Sequence, residues 1–107
     1  MLMAQDVRRA AAFWQGAFEL RRLSGDEHWM ELSWGGAVIA LHDGHDGSLN
    51  QTGLSLEVDN IHAAAEAVRS AGGSVPGLPR LEHEIVWLAD CVDTEGNAFM
   101  LSQPTRP

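Results

Sequence analysis

The chain has 107 residues, a formal net charge of −8 at pH 7 and a single cysteine, Cys91. This length corresponds to one domain, and one cysteine excludes an intrachain disulfide framework, which favours a reducing cytoplasm. An acidic surface repels phosphate backbones, which argues against nucleic acid as a partner. No apolar run approaches the roughly 20 residues that cross a bilayer, which argues against insertion in a membrane.

The first half of the chain predicts a strand, a helix and a β-hairpin, in that order. Residues 1–5 form the short strand, and Asp6 is a suitable N-cap for the helix that follows. Residues 24–27 are predicted to form a turn. Alternating apolar and polar side chains then predict strands over 28–34 and 37–42, joined by a glycine-rich hairpin turn.

The second half repeats this order. A strand is predicted over 53–58, and Asn60 is a suitable N-cap for the next helix. The pair Gly72-Gly73 predicts a left-handed end to that helix. Strands are predicted over 84–92 and 97–103, and the last four residues of the chain are predicted to form a frayed tail.

The two halves share residues at fixed spacings, which indicates an internal repeat. The helix starts, Asp6 and Asn60, are 54 residues apart, and residues in the last strands are 60 apart. We therefore predict a single domain over 1–107 built from two βαβββ units, unit one at 1–47 and unit two at 52–103. The predicted fold is α+β, a curved mixed sheet around a cleft with the helices outside. The residues paired at the longer spacing are Gly36 with Gly96, Ala40 with Met100, and Leu41 with Leu101.

Three segments carry a resemblance to a known family. A strand with the sequence LSLEVDN at 54–60 enters an alanine-rich helix that ends in AGG at 71–73, and the turn DTEGN at 93–97 precedes Leu101. Together with the repeated βαβββ order, these segments resemble the vicinal oxygen chelate superfamily, which includes glyoxalase I, bleomycin-resistance proteins and extradiol dioxygenases. The resemblance covers nearly the whole chain, although Thr94 stands where the family usually has proline.

The resemblance also implies where a metal would bind. Metalloenzymes of the family place one ligand, often His or Glu, on the first and last strand of each unit. These positions fall on Ala40, Gly53 and Met100, and the fourth would precede Met1. None of these residues has a donor for a hard or borderline divalent cation, so we expect no metal and no cofactor. A two-residue shift in register would bring only His42 as a ligand.

The predicted cleft has several candidate ligand-binding residues. Glu57 shares a face with Gly53 and Ser55, and a carboxylate against apolar walls serves as a base or as a counter-ion for a cation; the alternative is a solvated residue at the rim. Trp29, Trp34 and Trp87 lie on strands, and we expect the ring of at least one of them to line the cleft, where it could stack on a planar or cationic ligand. The predicted ligand-binding residues are Trp34, Ala40, His42, Gly53, Ser55, Glu57, Trp87 and Met100.

By resemblance, we expect a metal-independent protein that sequesters a small molecule, as bleomycin-resistance proteins do, and that forms a homodimer. The acidic charge and the tryptophans favour a cationic or aromatic ligand. One alternative is a glyoxalase-like lyase or isomerase, or a dioxygenase-related enzyme, with a non-standard site that uses His42 for a metal or Glu57 as a metal-free base. Another is a structural dimerisation module whose cleft Met100 fills.

Overall fold

The computed structural model describes residues 1–105 and confirms the predicted fold class. Of the four residues predicted to form a frayed tail, Pro104 ends the last strand, and Arg106 and Pro107 lie outside the described residues. Within the described range, unit one contains β1 (Leu2–Met3), α1 (Val7–Phe18), β2 (Arg21–Gly25), β3 (Trp29–Trp34) and β4 (Ala37–His42). Unit two contains β5 (Asn50–Glu57), α2 (Ile61–Ser70), β6 (Arg80–Glu82), β7 (Val86–Val92) and β8 (Asn97–Pro104).

Each unit forms its own four-stranded mixed sheet, with strand orders β1-β4-β3-β2 and β5-β8-β7-β6. In both sheets the first strand of the unit runs parallel to the last, and the other pairs are antiparallel. Leu2 lies opposite Leu41 in unit one, and Leu56 lies opposite Leu101 in unit two. The strand registers therefore reproduce the spacings of 54 and 60 residues found in the sequence.

The two helices begin in the same way. The carboxylate of Asp6 accepts a hydrogen bond from the Arg9 amide, and the side chain of Asn60 accepts one from the Ala63 amide, so both predicted N-caps are confirmed. At the end of α2, Gly72 has the predicted left-handed conformation, with φ +100°.

Apolar side chains on the helices join the two units. The indole of Trp14 in α1 is fully buried, with its centroid 4.8 Å from the Phe99 ring of β8. Gly73 must stay small at this junction, because a Cβ there would lie 2.5 Å from the ring of Phe13. The helices thus cover one face of the sheets and leave the other face for a binding site. Within residues 1–105, no helix has the length and apolarity needed to cross a membrane.

Two edge strands differ from the sequence interpretation. Ser24 and Gly25, predicted to lie in a turn, belong to β2, and the turn follows at Asp26, whose carboxylate accepts from the amides of His28 and Trp29. All residues of β2 are exposed, so the strand has no apolar alternation to reveal it. Unit two has a similarly exposed edge strand in β6.

Candidate functional site

A cavity of about 470 Å³ lies against the sheet of unit two, and we call it the main cavity. Residues of β5, β7 and β8 line it, together with Leu49 and Pro76. Its volume falls within the range of roughly 300–1,000 Å³ that is usual for small-molecule sites. The cavity is therefore large enough to hold a ligand of drug size.

An irregularity in β5 shapes this cavity. Gln51 lies opposite Ala98 and Ser55 lies opposite Met100, so residues 52–54 face a single residue of β8. The bulge is held by Thr52, whose hydroxyl donates to the carbonyl of Ala98 over 2.6 Å. Gly53, at its centre, has φ +72°. Bulges of this kind redirect side chains next to binding sites, and here the bulge puts Ser55 beside Met100.

The positions that hold metal in related enzymes are only partly brought together. Gly53 and Met100 both line the main cavity, whereas Ala40 lies on β4, opposite Glu31, outside that cavity. Gly53 offers only a hydrogen, Ala40 a methyl group and Met100 a thioether. None of these groups is a suitable ligand for a hard or borderline divalent cation. Within residues 1–105, no three His, Cys, Asp or Glu side chains converge to form a metal site. The residues present therefore do not fit the metal of the family.

Asp90 supplies the carboxylate of the main cavity. It lies opposite Met100 in the pairing of β7 with β8. Its Oδ2 accepts a hydrogen bond of 3.0 Å from Nη1 of Arg80, and Arg80 also donates to Glu82. The bonds to Glu82 and Asp90 raise the pKa of the Arg80 guanidinium, which keeps its charge. The carboxylate is thus partly neutralised at the rim of a mostly apolar space.

Cys91 also lines the cavity, but its side chain is 1% exposed on the opposite face of the sheet from Met100, and its thiol does not act as a nucleophile at neutral pH. Burial raises the pKa of the Cys91 thiol to about 12, and the negative charge of Asp90 adds to the effect. Since the thiolate is the reactive form, the protonated thiol behaves as a small apolar group. The neutral hydrogen-bonding side chains of the cavity come instead from Gln51 and Ser55.

The tryptophans predicted to bind ligand lie elsewhere. The ring of Trp34 packs edge-on against Phe18 of α1, with centroids 5.4 Å apart. The ring of Trp87 contacts His62 of α2, with centroids 5.9 Å apart. Both rings thus face the helices, and among the described residues that line the main cavity there is no tryptophan.

The two candidate catalytic residues are also outside the main cavity. Glu57 is exposed at the end of β5, opposite Ser102. His42 packs against Trp29 on unit one, with ring centroids 5.7 Å apart. Its buried Nδ1 has no hydrogen-bond partner among the residues that the structure describes. A single imidazole in this position can exchange a proton but cannot by itself hold a metal.

The sequence of residues 1–102 matches the family model of the glyoxalase-like domain. The chain belongs to this family. The match confirms the resemblance to the vicinal oxygen chelate superfamily that the repeat and the terminal turn suggested. No curated protein has a matching sequence.

Solved structures share the fold of this glyoxalase-like chain over almost its full length. A glyoxalase/bleomycin resistance protein/dioxygenase family enzyme from Burkholderia phytofirmans PsJN has a TM-score of 0.79 and 18% identity, over 95% of this chain and 93% of that chain. The fosfomycin resistance protein FosX from Mesorhizobium loti has the same TM-score and identity, over 97% and 87%. TnmS3, an antibiotic binding protein from Streptomyces sp. CB03234, has a TM-score of 0.75 and 25% identity, over 97% and 91%.

Sequence reasoning missed several residues that line the cavity of this glyoxalase-like domain. Period-two alternation along β7 and β8 could have found three of them, because Asp90, Val92 and Ala98 share the face of Met100. Leu49 and Pro76 lie outside the strands, and no sequence pattern marks them as neighbours of β8.

Proposed function

We propose that this glyoxalase-like protein binds a hydrophobic small molecule in the main cavity without a metal ion and sequesters it. One observation carries the proposal: a thioether, Met100, stands at a metal position of the family, beside open space of about 470 Å³. Apolar cavities with a few polar groups bind ligands through burial of hydrocarbon, at about 25 cal/mol per Å² of apolar surface.

The charge of the site favours a cationic or neutral ligand. The carboxylate of Asp90 borders the cavity, with Arg80 offsetting part of its charge, and the whole chain carries a formal charge of −8. Within the described lining there is no Lys, Arg or His to attract an anion. The antibiotic binding protein TnmS3 and the resistance protein FosX, which share the fold, are consistent with a role in binding or resistance.

A pair of probes with nearly the same shape and opposite charge tests this proposal. Tetraphenylphosphonium and tetraphenylborate are titrated into the protein by calorimetry, since no tryptophan of the described lining would report binding by fluorescence. At about 0.3 kcal/mol per non-hydrogen atom, the cation should bind with a Kd on the order of micromolar, one per chain. The anion should bind more weakly. If neither probe binds, the proposal is wrong.

Two tryptophan variants test whether the cationic probe binds in the main cavity. Met100→Trp fills the main cavity and should weaken cation binding by at least about tenfold, which is 1.4 kcal/mol. Ala37→Trp is the matched control, because Ala37 is exposed on β4 and is not among the described residues that line the main cavity. Equal affinities for the two variants would place the probe elsewhere and contradict the proposal.

An enzyme with a non-standard site is the second candidate. It rests on Nδ1 of His42, which has no hydrogen-bond partner among the described residues and lies 3.9 Å from Oδ1 of Asp43. Such an enzyme, a glyoxalase-like lyase or isomerase or a relative of the dioxygenases, would turn over substrates of those classes. His42→Ala would abolish this turnover. The space beside Gly53 and Met100 argues against the third candidate, a structural module with a filled cleft.

A homodimer in the cytoplasm is part of this proposal. Two exposed apolar side chains, Leu78 and Ile85, flank the edge strand β6 and offer a surface that a second copy could cover. Sedimentation velocity tests the assembly: a dimer is expected, and a monomer at high protein concentration would contradict it.

A further inference from the structure

Three residues form a row across the sheet of unit two. Ser55 of β5 lies opposite Met100 of β8, and Met100 lies opposite Asp90 of β7. All three residues line the main cavity, as expected for directly opposed residues, whose side chains share one face of a sheet. Since neighbouring strands lie about 4.8 Å apart, the backbones of Ser55 and Asp90 are separated by about 10 Å.

A second row across the same strands has a similar distribution of polar groups. Gln51 of β5 lies opposite Ala98 of β8, and Ala98 lies opposite Val92 of β7. These residues also line the main cavity. In the two rows, β5 contributes neutral side chains that form hydrogen bonds, Gln51 and Ser55, and both are exposed. Strand β8 contributes only apolar side chains, so the neutral polar groups and the carboxylate of β7 lie on opposite sides of an apolar strip.

The carboxylate of Asp90 can still accept hydrogen bonds from a ligand. The two oxygens of a carboxylate offer about four acceptor sites, and Oδ2 of Asp90 accepts a hydrogen bond from Arg80. Arg80 lies on the edge strand β6 and is not among the described residues that line the main cavity. The side chain of Asp90 is 62% exposed, so the ion pair leaves much of the carboxylate accessible from the cavity.

We infer that the ligand is an amine with N–H donors that lies across the strands of unit two. Its ammonium donates to the carboxylate of Asp90, its apolar middle covers Met100 and Ala98, and a neutral polar group meets Ser55 and Gln51 about 10 Å away. Charge-assisted hydrogen bonds are roughly twice as strong as neutral ones, so N–H donors should select among cations of equal charge. This inference rests on the proposed function, because it requires the main cavity to bind a ligand.

A pair of cations with the same charge and the same body tests the ammonium end. The biphenyl amine 4-aminomethyl-4′-hydroxybiphenyl has an ammonium and a hydroxyl at the two ends of a flat apolar body of about the required length. Its N,N,N-trimethyl derivative keeps the charge but has no N–H donor. By calorimetry at pH 7, where the amine is protonated, the biphenyl amine should bind about tenfold more tightly than the derivative.

Asp90→Asn and Glu82→Gln separate the hydrogen bond to Asp90 from the overall charge of the protein. Both substitutions remove a carboxylate that is bonded to Arg80, but of the two only Asp90 lines the main cavity. The biphenyl amine should lose most of its tenfold advantage over the trimethyl derivative in Asp90→Asn and keep it in Glu82→Gln. The neutral alcohol with the same body should bind both variants as it binds the wild type, which shows that they are folded.

The neutral end is tested by removing the hydroxyl from the ligand or its partners from the protein. In the wild type, the hydroxyl of the biphenyl amine should improve affinity about threefold over 4-aminomethylbiphenyl. Replacing both Gln51 and Ser55 by alanine should abolish this gain and leave the preference for the amine over its trimethyl derivative. A hydroxyl gain that persists in the double variant would contradict the placement of this end.

The outcomes for the two proposals differ. If tetraphenylphosphonium binds but the biphenyl amine binds no more tightly than its trimethyl derivative, or if Asp90→Asn keeps the full advantage, the ligand is not held as an ammonium by Asp90. The main cavity then remains a binding site. If none of these compounds binds to the wild-type protein, the proposed function is wrong, and the inference is wrong with it.

Discussion

The guanidinium of Arg9 and the carboxylate of Glu95 form a two-pronged ion pair, with Nε to Oε2 at 2.8 Å and Nη2 to Oε1 at 3.0 Å. Arg9 lies in α1 of unit one, and Glu95 lies in the turn between β7 and β8 of unit two. Glu95 is 1% exposed and also accepts hydrogen bonds from the amides of Gln5 and Asp6. This buried carboxylate therefore anchors the start of α1 on the other unit.

Replacing Glu95 by glutamine should destabilise the fold. An amide cannot accept all of these donors, and the charge of Arg9 would lose its partner, so we expect a loss of about 2–4 kcal/mol in the free energy of unfolding. Urea unfolding followed by circular dichroism measures this change. Glu57→Gln is the matched control, because Glu57 is exposed, and it should change stability by less than about 0.5 kcal/mol. Equal effects of the two substitutions would contradict the role of Glu95.

Glu95 should also make stability depend on pH in the acid range. Burial by itself would raise the pKa of Glu95, but hydrogen bonds from Arg9 and from the Asp6 amide outweigh it, and the pKa is lowered from 4.5 to about 2. Because the pKa of Glu95 is lower in the folded protein than in the unfolded chain, the ionised carboxylate stabilises the fold fully above pH 4.5. This stabilisation is lost as the pH falls from 4.5 towards 2. Urea unfolding at a series of pH values should show this loss in the wild-type protein. The Glu95→Gln variant should lack this acid loss of stability. If the free energy of unfolding falls with pH in the same way in both proteins, Glu95 is not its cause.

The bulge at Gly53 gives a third prediction. Gly53→Ala would place a side chain at φ +72°, where it meets strain but no atom within 4 Å. We expect a loss of about 1–2 kcal/mol in unfolding free energy from the backbone alone. Gly77→Ala is a suitable control, because Gly77 also has open space around it and no positive φ. If both variants are equally stable, the left-handed conformation at Gly53 is not required.

Cys91 should be inert to thiol reagents in the folded protein. Its side chain is 1% exposed, and with a pKa of about 12 only about one thiol in ten thousand is ionised at pH 8. Labelling with iodoacetamide, followed by mass spectrometry, should be slow in buffer and fast in urea. Labelling at the rate of a free peptide thiol in buffer would show that this part of β7 opens.

Signals that act within a few residues were predicted correctly from the sequence. The caps at Asp6 and Asn60 and the left-handed Gly72 depend on local hydrogen bonds and backbone preferences. The turn at Asp93 is of the same kind, because its Oδ1 accepts from the amides of Glu95 and Asn97. The spacings of 54 and 60 residues also recur in the strand registers of the two units.

Features that depend on distant contacts could not be predicted. Nothing near Glu95 in the sequence indicates Arg9, which is 86 residues away. Alternation places Trp34 and Trp87 on strands, but it does not say which sheet face the helices cover. The register shift at the bulge in β5 is held by a hydrogen bond from the Thr52 hydroxyl to the Ala98 carbonyl of β8, so the alternation of β5 alone did not reveal it. The bulge and the choice of the sheet face that the helices cover determine which side chains line the main cavity.

The most direct test of the account is a calorimetric titration of the chelator-treated protein with tetraphenylphosphonium, repeated with excess Zn²⁺, Mn²⁺ or Fe²⁺. Because Gly53, Met100 and Ala40 offer no suitable donor, we predict the same affinity and the same stoichiometry of one probe per chain in every titration. Binding that appears only after a divalent cation is added, or a cation retained in stoichiometric amount through dialysis, would contradict a metal-independent binding site.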